Sequence, residues 1–499
     1  MPMRLSKSRF VAGVQCLKRL YLLVHQPELA AATSDGAEAI MNQGQDVGDV
    51  ARQAFPGGVL VDHDHEHLDD ALRMTKELVD NPVVPAIFEA TFDYGRVLVR
   101  VDVLQRIDEN NFRLLEVKSS TGMKDHYAYD IGIQKYVVAG VGLNVPSACL
   151  MHLNRDYIYA GGDYEPLKLF SKQEIGPDTE IAPNEIVQRV QQQLKVLESS
   201  EPPSVSPGAH CSNPFLCEFF ECCNAPVPVD HVSNLPGIRS ARIAAMAAEG
   251  ISSIHDIPDD YQLSERQQIA CSAVKKRKTW IGPGLEAELA QLRYPLCFMD
   301  FETVYPALPR CAGMRPYDHI PFQWSVHRQE AASAPLLHYE FLAEDQRDPR
   351  PAFIESLCRA VEDAATVVVY NQGFESGRLS DLARWLPQYS VQIGEIQSKL
   401  FDLLPVMRRN VYHPEFAGSY SLKQVLPALL PEMTYSGMQV ANGGDAGIAW
   451  AQMISQDIES PERQLVRTAL LEYCGQDTRA LAELVKTLRS GKDVLHDNP

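Results

Sequence analysis

The sequence predicts an α/β protein built from two folded halves, and three observations carry that prediction. Strand-like runs alternate with helical periodicity both before about residue 200 and after about residue 290. A proline-rich break, EPPSVSPGAHCSNPF, falls between the two regions. The chain has 499 residues, more than one ordinary core organises at the usual scale of roughly 150 residues per domain.

Composition narrows the class. Hydrophobic residues make up 45% and charged residues 22%, the balance of an ordinary folded chain, so disorder is expected only at the ends. The N-terminal MPMRLSKSRFVAGVQ lacks the apolar core of a signal peptide, and no run reaches the ~18 uncharged apolar residues of a membrane span. A cytoplasmic protein without a membrane partner is therefore expected. The net charge of −19 excludes a protein that coats nucleic acid, because phosphate binding scales with Lys and Arg contacts. It leaves open an enzyme acting on nucleic acid, since carboxylates that hold metal add negative charge. Local basic stretches exist: Arg4, Lys7, Arg9, Lys18 and Arg19 occur without an acidic neighbour in the first twenty residues, and Lys275-Lys276-Arg277-Lys278 forms a short run. Each reads either as a strand guide or as a solvated helix face.

In the first half, AIFEATF, RVLVRVDVL and FRLLEVKSS are β-rich, and DIGIQKYVVAGVG returns to a helical period. Asp102 lies in one strand, with Glu116 and Lys118 in the next after a polar turn at Asn110-Asn111. Residues two apart in a strand share a face, so Glu116 and Lys118 point the same way while Val117 packs inward. Two carboxylates and an amine so placed suit phosphodiester hydrolysis: the carboxylates hold a hard divalent cation, Mg²⁺ or Mn²⁺, and the lysine positions the attacking water or steadies developing charge. The following helix carries Asp130 and Gln134 one turn apart on one face.

Eleven cysteines in a reducing compartment argue for metal where they cluster and for core packing where they scatter. Cys211, Cys217, Cys222 and Cys223 crowd together, and Cys211-x5-Cys217-x5-Cys223 supplies three soft ligands, with Cys222 a competing third. Zinc or an iron–sulfur cluster fits, and each needs a fourth ligand. For zinc, the neighbouring His210 is also available. A helical segment follows at 226–288, where Leu235-Pro236-Gly237-Ile238 leads into ARIAAMAAEG and Gly250 stops the helix; it reads either as half of a helix-hairpin-helix or as a simple linker.

The last region, 289–499, opens with the apolar strand PLCFMDFETV, which places Asp300 and Glu302 on one face. Burying both without a cation is costly, so metal binding is the economical reading. A second apolar strand leads to Asn371 and then Glu375, and the helix LLEYCGQDTRALAELV carries Tyr473 and Asp477 four apart. The four acidic residues suit a pair of divalent ions, with Tyr473 orienting the water. Asp402 is an alternative ligand for which a structural role is preferred.

The run DVL…EVKSST…DIGIQ resembles the RecB-like branch of the PD-(D/E)XK nucleases, which includes the CRISPR-associated exonucleases. The resemblance implies a 1–225 domain with Asp102, Glu116 and Lys118 catalytic, Gln134 as the following glutamine and Glu89 as a further metal ligand. The tyrosine often found four residues after that glutamine is Val138 here, and Tyr136 is out of register. It also implies a [4Fe-4S] cluster held by Cys16, Cys211, Cys217 and Cys223. The order D-x-E, N-x-x-F-[D/E]-x-x-x-L, Y-x3-D resembles the DEDDy group of RNase H-like 3′–5′ exonucleases. That implies Asp300, Glu302, Glu375 and Asp477 as metal ligands and Tyr473 as the water-orienting residue, with Glu375 standing where the group usually has aspartate. The whole is similar to a prokaryotic family of fusion nucleases. Its expected activity is metal-dependent cleavage of DNA, single-stranded or end-bearing, in repair, recombination or defence, with a helicase or other loading protein as partner. The alternatives are an RNA-directed exonuclease and a nucleic-acid-binding or assembly protein with one working site or none.

Overall fold

The computed structural model describes residues 3–32, 35–63, 66–224, 226–455 and 458–490. Its architecture is mixed α/β with several sheets. The chain divides into two compact units, Met1–Pro226 together with Tyr305–Asp318, and Val227–Val304 together with His319–Pro499.

In the first unit the strands are β1 (Leu5–Ser6), β2 (Val59–Leu60), β3 (Ala86–Tyr94), β4 (Val97–Arg106), β5 (Asn111–Lys118), β6 (Asn144–Leu153) and β7 (Phe170–Glu174). Six pair in the order β2-β3-β4-β5-β6-β7, and β1 pairs with β4 in parallel. The β3–β4–β5 meander is antiparallel, whereas β5 and β6 run parallel. A parallel pair needs a crossover, and helix α5 comes between them in the chain. The helices used below are α1 (Lys7–Gln15), α2 (Leu17–His25), α3 (Asp35–Arg52), α4 (Leu68–Asp80), α5 (Tyr127–Gly140) and α6 (Pro183–Glu198). Leu114 and Leu150 enter a core with Phe10, Ile131, Val137 and Val190. Their neighbours Leu115, Cys149 and Met151 enter another with Val47, Val50 and Tyr157. Both faces of the sheet are therefore covered, which is why these strands read as nearly continuous apolar runs.

Residues 305–318 complete that second core. Ala307 is buried in it and its amide donates to Gln43 Oε1 at 2.9 Å. Tyr159 and the segment exchange backbone bonds, Tyr159 N to Met314 O at 2.9 Å and Gly313 N to Tyr159 O at 2.8 Å. Tyr317 Oη donates to Ser119 O, one residue beyond Lys118.

The second unit contains β8 (Trp280–Ile281), β9 (Leu296–Val304), β10 (Ile320–Gln329), β11 (Leu336–Leu342), β12 (Thr366–Val369), β13 (Leu400–Asp402) and β14 (Val411–Tyr412). Its main sheet has the order β11-β10-β9-β12-β13, the first three antiparallel and the last three parallel. Its helices include α7 (Ser240–Ala248), α8 (Glu265–Lys276), α9 (Arg350–Ala360), α10 (Gln372–Trp385), α11 (Leu403–Asn410), α12 (Leu422–Leu429), α13 (Gly443–Met453) and α14 (Ser460–Ser490). Cys297, Met299 and Phe301 of β9 pack with Phe353, Leu357 and Leu379. Leu296 and Phe298 turn to the opposite face, into a core shared with Leu470 and Leu481 of α14. By the same alternation Asp300 and Glu302 point to the α14 side.

The 226–288 segment lies in this unit: Val232, Leu235, Met246, Ile254 and Ala270 share one core with Val411, Phe416 and Leu426. The helix expected at ARIAAMAAEG forms as α7, and Gly250 follows its cap at φ +79°, the left-handed geometry that ends helices. Among the described residues, no helix is long and apolar enough to cross a membrane.

Candidate functional sites

Strand register builds the first cluster. β3 pairs Phe88 with Val103 and Ala90 with Val101, so Glu89 lies opposite Asp102. β4 pairs Val103 with Leu115, which puts Asp102 opposite Glu116. Three carboxylates thus stand in one row across three strands. The β4–β5 ladder ends at this row, and Asp102 Oδ2 accepts from Val117 N at 2.7 Å in place of a ladder bond. Glu89 has φ +55°, a left-handed conformation unusual for a side chain with a Cβ.

Glu116 is the hub. Fully buried, it accepts from Lys7 Nζ at 2.9 and 3.1 Å, from Lys118 Nζ at 2.8 Å and from Gln134 Nε2 at 2.6 Å. Lys118 also pairs with Asp130 at 2.8 Å, and Lys7 stands 3.6 Å from Asp102. Burial pushes the Glu116 carboxyl up, but Lys7 and Lys118 outweigh it and hold it down at about 2. Asp102 has the opposite balance: burial and the neighbouring Glu116 lift it to about 7. One carboxylate is thereby fixed in its charged form and its neighbour titrates near neutrality. Burial also raises Glu89 and Asp130 above the usual carboxylate range. Gln134 leaves its Oε1 buried without a hydrogen-bond partner.

The second cluster is more acidic. Asp300 and Glu302 on β9 come together with Cys474 of α14, their ligand atoms within 4.8 Å of one another. Burial, then Asp477, Glu302 and Glu375, drive the Asp300 carboxyl far above its ordinary range. Burial and Asp477 lift Glu302 to about 8, and burial lifts Glu375 to about 8. Asp477 reaches about 6, raised by burial and restrained by Tyr435, Lys423 and Tyr473. Tyr435 Oη donates to Asp477 Oδ1, and the Tyr435 and Tyr473 rings lie 6.0 Å apart. Glu375 Oε2 is buried with no donor. Crowded carboxylates with an orphaned oxygen are a set that could hold a divalent cation. Gly443, at the start of α13, leaves room here: a Cβ would lie 3.2 Å from Glu302 Oε2.

Asp402 is occupied otherwise, accepting from the backbone amides of Asn371, Gln372 and Leu404, each at 3.0 Å. It fixes the left-handed Asn371, φ +91°, from which α10 delivers Glu375. A cleft of about 700 Å³ opens beside the cluster, lined by Asp300, Asp477, Tyr435 and Tyr473 and by Arg266, Arg408 and Lys423.

Cys16, Cys211, Cys217 and Cys223 line one pocket with Arg19, His210 and Phe219, while Cys222 is exposed and outside it. Cys16 sits where α1 ends and α2 begins. Gln15 Nε2 donates to His210 O and Phe215 O, both at 2.7 Å, and Arg19 pairs with Glu218 at 2.8 Å. The start of the first unit is thereby sewn to the cysteine loop 195 residues later.

Apart from the competing Cys222 and the alternative ligand Asp402, every residue expected at a site falls in one of these three places. Four were not anticipated as site members: Lys7, Asp130, Tyr435 and Cys474. Asp130 carried a visible signal, its one-turn spacing from Gln134. Tyr136 does not join the first cluster but packs edge-on against Tyr94, centroids 5.6 Å apart.

A divalent ion added to the second cluster is expected to displace protons, about two to three per chain between pH 6 and 8, because metal ligation demands deprotonated carboxylates. The sources are Asp300, held far above its ordinary range, Glu302 and Glu375, at about 8, and Asp477, at about 6. Calorimetry in buffers of different ionisation heat measures this directly, and ion uptake without proton release would contradict it.

Against known proteins, residues 297–421 match a family model described as Domain of unknown function (DUF2779). That stretch holds Asp300, Glu302 and Glu375 but stops before Tyr473 and Asp477. The Uncharacterized protein UU173 of Ureaplasma parvum is 23% identical over 213 residues, 38% of this chain and 31% of that protein. The Uncharacterized protein MG366 homolog of Mycoplasma pneumoniae is 24% identical over 230 residues, 41% of this chain and 34% of that protein. The chain spans about a third of the length of these curated relatives. A solved structure titled Crystal structure of SSO0001 aligns at TM-score 0.21 and 14% identity over 40% of this chain and 77% of its own.

Proposed function

We propose that this chain is a metal-dependent nuclease with two phosphodiesterase sites, a RecB-like PD-(D/E)XK site in the first unit and an RNase H-like DEDDy exonuclease site in the second. The observation that carries the reading is the convergence of Asp300, Glu302, Glu375 and Asp477 from a strand and two helices, with a buried carboxylate oxygen left without a donor. The sheet order β11-β10-β9-β12-β13 supports it, with the two carboxylates on the central β9. For the first unit, support comes from the row Glu89, Asp102 and Glu116 beside Lys118, followed by α5 with Gln134.

A divalent ion bound at either cluster would supply an activated water and a counter-charge for the leaving oxygen. The chain's own residues orient the reaction. Tyr473 and Tyr435 are held as neutral donors, since burial and Asp477 push both phenols far above their ordinary range. In the first site Lys118, bridging Glu116 and Asp130, is the fixed cation beside the reacting phosphate. Arg266, Arg408 and Lys423 give the cleft of a −19 chain its local affinity for a phosphate backbone.

The test is cleavage of end-labelled single- and double-stranded DNA and RNA with Mg²⁺ or Mn²⁺ by the wild type, Lys118→Ala, Asp300→Ala and the double variant. Each single variant is expected to remove a distinct product pattern and the double variant to be inactive. A wild type that cuts nothing, or a double variant that still cuts, overturns the reading.

The cysteine pocket fits a [4Fe-4S] cluster: four thiols from two distant segments face one space and a fifth is excluded. Cys16→Ser is expected to strip bound iron and sulfide from anaerobically purified protein, and Cys222→Ser to leave them unchanged. Zinc in place of iron in that analysis would reassign the pocket.

A further inference from the structure

We propose that Lys7 is a tethered counter-ion of the first site, holding the Glu116 and Asp102 oxygens against which a divalent ion must compete. The proposal rests on reading that cluster as a metal site.

The geometry of Lys7 is the argument. Its ammonium reaches both oxygens of Glu116, at 2.9 and 3.1 Å, and stands 3.6 Å from Asp102. A cation shared by those two carboxylates would need the same oxygens. Lys118 cannot act in the same way, because it is divided between Glu116 and Asp130 and therefore sits to one side.

Nor is Lys7 a stray arm from a loose terminus. The strand before it, β1, pairs with β4, Leu5 with Val97 and Ser6 with Leu98, and Leu5 N donates to Arg96 O at 3.0 Å. Ser6 caps α1 by accepting from Arg9 N at 3.2 Å. Phe10 is fully buried, its carbonyl accepts from Gln193 Nε2 at 3.0 Å, and Gly13 lies so close that a Cβ would overlap the Gln193 side chain. The Lys7 backbone is thus fixed on three sides, and only its flexible side chain can withdraw.

Charge completes the case. Glu89, Asp102, Glu116 and Asp130 face Lys7 and Lys118, so the cluster carries two charges in excess when all are ionised. Removing Lys7 leaves three, which strengthens the attraction for a divalent ion. A bound ion replaces one tethered charge with two free ones, and its affinity is lowered by whatever the ammonium contributes to Glu116.

The experiment measures Mn²⁺ binding by electron paramagnetic resonance on the full chain carrying Asp300→Asn and Asp477→Asn, so that the signal reports the first site. In that background Lys7→Met is expected to tighten Mn²⁺ by about tenfold or more, the factor one charge-assisted hydrogen bond commands. Lys7→Arg keeps the charge and is expected to stay near the starting affinity. Asp102→Asn is expected to lose binding. Should Lys7→Met fail to fold, Lys7→Gln takes its place. An unchanged or weakened affinity in the lysine variant, with Asp102→Asn still abolishing binding, overturns the counter-ion role and leaves the metal site standing. Absence of Mn²⁺ binding in every variant overturns both.

Discussion

Glu116→Ala is expected to silence the first site and to destabilise its unit by roughly 3 kcal/mol, the scale for breaking a buried, hydrogen-bonded ion pair from one side. The variant strips Lys7 of two acceptor oxygens, Lys118 of one and Gln134 of one of its two acceptors at once. The effect carries a pH signature. Glu116 is depressed to about 2, so its contribution is fully present above the ordinary carboxylate value of 4.5 and disappears as pH falls toward 2. Urea unfolding should therefore separate wild type and variant at pH 7 and bring them together at about pH 2. A gap that persisted in acid would assign the loss to packing instead of charge.

Asp300→Asn is expected to do the reverse to stability while abolishing cleavage at the second site. Loss of a ligand at the centre of the acidic set should lower the rate by about a thousandfold, at the upper end of what one electrostatic contact supplies. In chelator, however, the variant should be more stable than wild type by roughly 1–2 kcal/mol, the usual gain when a functional strain is relieved. The sign follows from raised values. Glu302 is held up at about 8 and Asp300 well above its ordinary range, so the stability tied to their protons is complete below about pH 4 and is lost as pH rises through their raised folded-state values. The difference in melting temperature should grow between pH 5 and 9, and equal melting temperatures at pH 9 would refute the repulsion argument.

What the sequence made legible follows from the range of each interaction. Asp102, Glu116 and Lys118 are fixed by one hairpin register, and strand alternation already dictates that they share a face. Asp300 and Glu302 obey the same rule on β9, and Tyr473 and Asp477 follow from helical spacing. Lys7 was illegible as a site residue because its partner Glu116 lies 109 residues away and local periodicity carries no term for that approach. In the sequence it is one member of a basic stretch. Tyr435 reaches Asp477 across 42 residues, from a loop with no pattern of its own. Residues 305–318 were equally silent, since nothing in a loop between two strands of one sheet says that it completes the core of another unit.

That loop has a consequence for inheritance. A single genetic crossover anywhere between 227 and 304 yields a first unit without Ala307, Met314 and Tyr317, and so with an unfilled core and an unpaired Tyr159 amide. A crossover after 318 leaves the first unit carrying β9, a lone strand of the other sheet. Neither unit is left intact by one cut, so separating either from the chain requires cuts on both sides of 305–318.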